Sequence, residues 1–459
     1  MPPDIFVAAN MSGSAEVKTV GVLSLHNSKE SKAICNAIEG LGHQPQWLRS
    51  ENTSIDISDG EVRMEPEVDI IANRLLLSNS EQPCEDLGLA RTLSAVRPML
   101  NPPEAVLTAV HKFATATALA AEGLPVPDAL LALDSETLES ARERFGEEAV
   151  YKTAIGTHGG GTWKVHTGDP VMPTVGQRRA FLQELIHSND DRPRDVRVYV
   201  VGDRTIGAMT RYAPEQDWRT NVALGGEVAD ARDLIDSEVA DIAMEACSCL
   251  GIDYAGIDLV EGPDGWNVLE VNPTAGFRGF FKATGISPAP AIAALAIEEA
   301  GGSVDPADID RLADRLDDSV PACMPRPRTG PDTGDVTAVG LTEEILVSGT
   351  TGTERVVAKS DTGANRTSID TRLAAKIGAG PIKEIARVKS GSRKTAVTRP
   401  VVDVVIGVGG ARHTVTASIE DRSHMEYSVI LGRDVLKHYH VDVSRAVDSS
   451  KSAGKETEE

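Results

Sequence analysis

Ile257-Asp258-Leu259-Val260-Glu261-Gly262-Pro263-Asp264-Gly265-Trp266-Asn267-Val268-Leu269-Glu270-Val271-Asn272 is the stretch on which the reading of this chain turns. Two apolar, strand-like runs flank Gly262-Pro263-Asp264-Gly265, so the segment predicts a hairpin folded about Asp264. Folding there sets Asp258 opposite Glu270, and because strand side chains alternate, Glu270 and Asn272 share a face. Two carboxylates and an amide oxygen then converge from neighbouring strands, a hard-oxygen set suited to Mg²⁺ and the phosphates it carries. From these residues alone, a polar face on an exposed hairpin is an equally open reading. The chain that precedes it separates the two.

Upstream, Ala149-Val150-Tyr151-Lys152 reads as a short strand that runs into Gly156-Thr157-His158-Gly159-Gly160-Gly161-Thr162. Such glycines let backbone N–H groups close on an anion, and Lys152 places a cation at the loop's mouth. The order of residues is not that of a Walker loop. Residues 181–186 form an apolar strand with Gln183 and Glu184 at its centre, followed by Ile186. Residues 195–203, beginning Asp195-Val196-Arg197, predict a strand turning into another at 206–211, which ends in Arg211. A polar loop carries Arg219-Thr220-Asn221, a helix is expected over 237–250, and a closing helix over 289–300. Between hairpin and closing helix, residues 273–280 read as a glycine-bounded loop. Before all this, Asn101-Pro102-Pro103 is a break, and one helix carrying Lys112 is expected over 104–122. Strand and helix signals alternate from Val20 to Leu100, predicting a small α/β unit with nothing catalytically suggestive in it.

With 459 residues, the chain is expected to hold about three domains. Its net charge of −23 argues against non-specific nucleic-acid binding. Dense carboxylates of this kind suit a salt-accumulating cytoplasm, as in a halophile. No run reaches the roughly 20 apolar residues of a membrane helix. The first residues lack the basic and apolar regions of a secretion signal, so no membrane partner and a cytoplasmic location are expected. Five scattered cysteines with no Cys-x-x-Cys pair imply reduced thiols rather than a disulfide framework or zinc site.

Taken together, Lys112, Lys152 with its glycine loop, Gln183-Glu184, Asp195-x-Arg197, Arg219-Thr220-Asn221, Asp258 and Glu270-Val271-Asn272 resemble the ATP-grasp fold, specifically the RimK-type amino-acid ligases. The likeness covers roughly residues 100–300. It implies an α/β ATP-grasp domain (101–300) behind an N-terminal α/β pre-ATP-grasp unit (18–100), with a loose tail over 1–17. It further implies that Lys112 and Lys152 contact ATP phosphates, that Gly159, Gly160 and Gly161 fold over them, and that Glu184 and its neighbours Gln183 and Ile186 hold the adenine. Asp195 would lie near the nucleotide or substrate. Asp258, Glu270 and Asn272 would bind two Mg²⁺ ions, with Mn²⁺ as a substitute. Arg211, Arg219 and Asn221 would face the reacting carboxylate and the transferred phosphoryl group. The sequence departs from the family pattern at Asn272-Pro273-Thr274-Ala275-Gly276-Phe277-Arg278 and at Thr153, beside the reaction centre. This places substrate identity more in question than ATP use. Arg278 is there as a candidate for an acidic substrate's carboxylate or as a packing arginine.

Beyond residue 300 the composition shifts towards Asp, Pro, Arg and Gly, and residues 301–335 read as a linker with a short helix expected over 305–316. From 336 to 447 short strands predominate, centred on Val356-Val357-Ala358-Lys359-Ser360-Asp361-Thr362-Gly363-Ala364. With the later Val429-Ile430-Leu431-Gly432-Arg433-Asp434, this resembles one lobe of a retropepsin-type aspartic protease, the mostly β barrel domain associated with RimK-type ligases and also called an ATP-dependent zinc protease. Residues 448–459 read as a disordered tail. Aspartic proteolysis needs two carboxylates sharing a proton, so a single Asp361-Thr362-Gly363 implies a homodimer or higher homo-oligomer built through this domain. Asp434 is the other conceivable partner, at a position where the family begins a structural helix. No His-Glu-x-x-His is present, and His438-Tyr439-His440 reads as a helix end entering a strand. The basic residues Lys383, Arg387, Lys389, Arg393, Lys394 and Arg399 would suit an acidic peptide if they lie on a flap.

The chemistry implied is ATP-dependent joining of an amino acid, glutamate foremost, to a carboxylate on a protein tail or small acceptor, with the peptidase-like domain trimming the same products. Two alternatives stand beside it: glutamylation of a small coenzyme, and a ligase whose C-terminal domain serves only in dimerisation or substrate binding.

Overall fold

The computed structural model describes residues 16–80, 82–156, 161–187, 192–215, 217–220, 226–325, 337–388 and 397–447. They fall into two compact units, Met1–Pro327 and Arg328–Glu459. Gly159, Gly160, Asn221, residues 1–15 and 448–459 of the expected tails, and Lys389, Arg393 and Lys394 of the basic cluster lie outside the described residues.

The first unit opens with a parallel sheet in the order Gln44–Leu48, Thr19–Leu23, Ile70–Asn73, Met99–Leu100. Helix Lys29–Gly40 starts at Ser28, whose side chain accepts from the Ser31 N–H, and buries Ile34, Ala37 and Ile38. It packs against Ala289–Glu299, a helix apolar on nearly every side and correspondingly enclosed. An antiparallel sheet of five strands follows, ordered Glu227–Asp230, Arg204–Tyr212, Arg194–Val201, Tyr254–Gly262, Gly265–Asn272. Its last two strands are the expected hairpin, with Asp258 opposite Glu270 and a register shift just after Asp258. A smaller antiparallel sheet, centred on Glu148–Thr153 and Arg178–Glu184, carries Lys152 and Gln183.

Three sequence expectations change here. The helix over 104–122 is two helices, Pro103–Val110 and Lys112–Ala121. His111 adopts extended backbone between them, and its imidazole accepts from the Ala114 N–H, so Lys112 becomes the first residue of a new helix rather than the middle of an old one. The segment after Gly276 is not loop throughout but helix Phe277–Thr284, whose Phe277 and Phe280 are buried. Residues 301–325 are not a linker. Helix Pro306–Ala313 sets Leu312 against Gly40, Ser287 donates to Ala313 O, and Asn36 Nδ2 donates to Asp317 and Ser319. Apolar side chains in a Pro- and Asp-rich composition sufficed to dock this stretch.

The second unit is a closed barrel of six strands. Their order is Thr342–Ser348, Thr353–Ser360, Val429–Leu431, Ser368–Asp370, Ala411–Glu420 and Val397–Val408, which pairs back onto the first. Closure leaves a hairpin partner, Ile382–Val388, on the outside. Val347, Ala358, Ile369, Val404 and Leu431 fill the interior.

Candidate active site

The hairpin, the small sheet and both flanking helices bound one cleft of about 600 Å³ in the first unit. Asp258, buried to 4% exposure, is its electrostatic centre. Arg197, one strand over and in register with Asp258, donates from Nε to Oδ1 at 2.6 Å and from Nη2 to Oδ2 at 2.7 Å. This close crossing needs glycine at position 256, because a Cβ there would sit 3.0 Å from Arg197 Cδ and 2.9 Å from Ala275 Cβ. Arg211 donates bidentately to Asp195 at 2.6 Å and reaches Asp258 Oδ2 at 2.8 Å. Asn272 Nδ2 donates to the same oxygen at 3.2 Å, and Thr220 Oγ1 donates to Asp195 at 2.5 Å.

Two carboxylates and two guanidinium groups thus neutralise one another away from water, the arrangement in which a buried charge is tolerated. Burial works against ionisation of Asp258, but Arg197 and Arg211 outweigh it and hold the carboxyl well below the usual range. Burial pushes Asp195 the other way, against the pull of Arg211.

The second cluster lies at the hairpin's far strand. Lys112 Nζ stands 2.6 Å from Glu270 Oε1 and 3.5 Å from Gly156 O. Lys152, in the small sheet, is 4% exposed and lies over the Phe181 ring at 5.4 Å. Burial brings its pKa down to about 8, against the pull of Glu270 and with the help of Lys112. Glu270 is itself opposed by burial yet lowered by Lys112 and then Lys152. Two cations and a carboxylate in one cleft are a charge set suited to a polyphosphate and its counterion.

Of the other expected residues, Gln183 is buried on the strand facing Lys152's, and Ile186 lines the same cleft. The Glu184 N–H donates to Asp128 O at 2.8 Å, so this donor is occupied, while Glu184, Leu185 and His187 all line the cleft. Gly161 is the described end of the glycine loop, in a left-handed conformation, and its carbonyl accepts from the Thr153 N–H. Arg219 lines the cleft, with its guanidinium turned onto Asp217 at 2.7 Å. Arg211, expected to face a substrate carboxylate, instead faces two of the chain's own. Its side chain still lines the cleft, with the guanidinium held between Asp195 and Asp258.

The donor set of Asp258, Glu270 and Asn272 is all oxygen-capable and lies on one hairpin, which suits Mg²⁺. Asp258 must trade arginine contacts to join a metal, whereas Glu270 need only release Lys112. Sequence reasoning passed over Arg197 as a site residue, although Asp195-x-Arg197 on one strand face was a usable signal. It also set aside the N-terminal α/β unit, whose Glu30, Leu76 and Ser78 form a wall of the cleft. Glu30 follows the first strand of a parallel sheet, at the carboxyl end where ligands bind in such sheets.

Asp361, Thr362 and Gly363 lie in the second unit on an exposed loop, with Asp361 Oδ1 accepting from the Gly363 N–H at 2.9 Å. Asp434 accepts from Thr367 N–H and Oγ1 at 2.8–3.0 Å and so is committed to bracing that loop's far end.

Residues 109–296 match the model of the RimK-like ATP-grasp domain. Over 201 residues the chain is 33% identical to the tetrahydromethanopterin:alpha-L-glutamate ligase of Methanocaldococcus jannaschii, spanning 41% of this chain and 67% of that protein. It is 29% identical over 202 residues to the glutamate–LysW ligase ArgX of Sulfurisphaera tokodaii, spanning 41% of this chain and 69% of that one. Among solved structures, the ATP-grasp ligase PsnB complexed with minimal precursor superposes with a TM-score of 0.50 at 22% identity. That match covers 62% of this chain and 100% of the other, a likeness of fold. On these grounds and on the cleft itself, the chain belongs to the RimK-like ATP-grasp family and is an ATP-dependent, amide-forming ligase.

Proposed function

We propose that this ligase joins the amine of an amino acid, glutamate foremost, to a carboxylate of a protein tail or small acceptor through an acyl phosphate. The observation that carries the reading is the meeting of Lys112, Lys152 and Glu270 with the Arg197–Asp258–Arg211 cluster in one cleft. Lys112 and Lys152 would hold the phosphates of ATP, and Gln183 and residues 184–187 would seat the base. Glu270, Asn272 and, after exchange of its arginine contacts, Asp258 would hold Mg²⁺, one or two ions, with Mn²⁺ able to replace it. When bound, the metal supplies Lewis-acid neutralisation of the charge on the transferred phosphoryl group.

The acceptor carboxylate attacks the γ-phosphorus, ADP leaves, and the amine then displaces inorganic phosphate to give the amide and a proton. The chain's own part is positioning and charge: Arg211 and Arg219 stand beside the path of the carboxylate, and the buried cluster keeps the site's charge balanced without water. The relatives named for glutamate ligation favour that amino acid. One of them is named for a coenzyme acceptor, so glutamylation of a small coenzyme is the alternative. The five thiols, none in a disulfide, fit a reducing cytoplasm as the setting.

The test is ADP release with Mg²⁺ and single amino acids, with mass spectrometry of candidate acceptors at low and high salt. A mass gain of one residue per event, dependent on glutamate, is the expected outcome. ADP release indifferent to every amino acid and acceptor would sink the reading.

For the C-terminal barrel we propose a peptidase-like role. What favours it is an exposed Asp361-Thr362-Gly363 loop on a closed β barrel, with the carboxylate oriented by the Gly363 N–H. A second copy of the chain would supply the second carboxylate. Cleavage of the ligated products should disappear in Asp361→Asn while ligation persists. Cleavage at wild-type rate in that variant would leave the barrel a dimerisation or substrate-binding module.

A further inference from the structure

Arg278 stands in the first turn of helix Phe277–Thr284 and lines the cleft that holds Glu270 and Asn272. The helix is placed firmly. Arg74, 3% exposed, donates to the carbonyls of Pro273, Thr274 and Ala275 at 3.2–3.3 Å and lies over the Phe277 ring at 5.2 Å. The Arg278 side chain itself is 59% exposed, and its Nε donates to Asp318 Oδ2 at 2.7 Å.

Several other cleft cations pair with residues that build the site or its nearest strand: Arg197 and Arg211 with Asp258, Lys112 with Glu270, Lys164 with Glu148. Arg278 differs. Its carboxylate comes from a segment beyond the region matched to the ATP-grasp family, laid along helix Lys29–Gly40 and pinned on both sides of Asp318. Asn36 Nδ2 donates to Asp317 O and Oδ1 and to Ser319 O at 3.1–3.3 Å. Asp318 is thereby held against Arg278 between two pinned neighbours.

We propose that Arg278 is a subsite for a carboxylate of the incoming amino acid, and that Asp318 is its internal occupant, displaced when an acidic substrate binds. This rests on the ligase reading above and adds to it the residue that takes the amino acid's carboxylate and the internal group that competes for it. Exchange of one carboxylate for another at a solvent-reaching guanidinium changes little in net energy, so it is reversible. Arg278 holds the bound Asp318 carboxyl below its usual range, and Lys29, whose charge also reaches Asp318, offers it a second partner once released. Such an occupant would set the apparent affinity for acidic substrates without touching the nucleotide half of the cleft.

The experiment measures KM for glutamate and for ATP separately, in amino-acid-dependent ADP release by the full chain. Arg278→Gln should raise the glutamate KM about two- to fivefold, the loss expected for one exposed ion pair. Arg278→Lys should recover part of it, and Asp318→Asn should lower the glutamate KM about two- to fivefold. The ATP KM is the internal control. An unchanged glutamate KM in Arg278→Gln, or a raised one in Asp318→Asn, overturns the proposal while leaving the ligase reading in place. Absence of amino-acid-dependent ADP release in the unsubstituted chain overturns the ligase reading itself. Circular dichroism melting of each variant separates loss of fold from loss of contact.

Discussion

Glu270→Ala should lower amino-acid-dependent ADP release by roughly 10²–10³-fold at saturating ATP. Glu270 is the one carboxylate of the hairpin whose observed partner is a lysine, Lys112, rather than a buried arginine pair, so it is the oxygen donor most readily given to a metal. Its removal would take away the proposed metal ligand and leave Lys112 and Lys152 with only the more distant charge of Asp258 to offset their repulsion. Two like charges in a buried site repel, and burial has already brought Lys152 down to about 8. Glu270→Gln keeps the side chain's volume but not its charge, and is expected to lose nearly as much. A rate within tenfold of the parent in both variants would show that the metal is held elsewhere.

Arg211→Met should destabilise the first unit by about 3–5 kcal/mol. Arg211 is 5% exposed and grips Asp195 with two hydrogen bonds while reaching Asp258 with a third contact. Without it the cluster carries two buried carboxylates against Arg197 alone, and Asp195 keeps only its Thr220 contact. An uncompensated buried carboxylate has its pKa raised above the unfolded value. Stability contributed by such a group is present below the unfolded pKa and lost as pH rises through the folded one, so the deficit of Arg211→Met should shrink as the solution is acidified from neutrality. Adding Asp195→Asn should recover part of the loss, because the two sites share one hydrogen-bonded network. Urea unfolding followed by tryptophan fluorescence at neutral and mildly acidic pH measures both effects. A loss under about 1 kcal/mol with no pH dependence would mean that the cluster is wet and contributes no more than a surface pair.

These expectations draw unequally on sequence and structure. The hairpin was legible because its signal is local: alternating apolar residues, a Gly-Pro-Asp-Gly turn, and a side-chain period of two place Asp258 across from Glu270, and the observed register has that pairing. The helix over 237–250 was legible for the same reason, and its observed span is Ser237–Leu250. The break at His111 was not, because it depends on one imidazole turning back to cap a helix in a run with helical composition throughout. Nor was the docking of residues 301–325, where a few apolar anchors such as Leu312 find a surface supplied by residues nearly 300 positions earlier.

The site divides along the same line. By itself the sequence singled out the candidate residues: the carboxylates and amide of the hairpin, two lysines, a glycine loop and an Asp-Thr-Gly strand end. Their identity and spacing are local facts, and local spacing sets which face of a strand a side chain takes. Only the tertiary structure decided who faces whom. It turned Arg211 inward onto Asp195 and Asp258, laid Arg197 across Gly256, brought Glu30 of the N-terminal unit to the cleft wall, and set Asp318 on Arg278. Charge pairing is a matter of distance in space and of shielding from water. Residues 40 apart in the chain, such as Arg278 and Asp318, acquire both only once the surrounding core has closed.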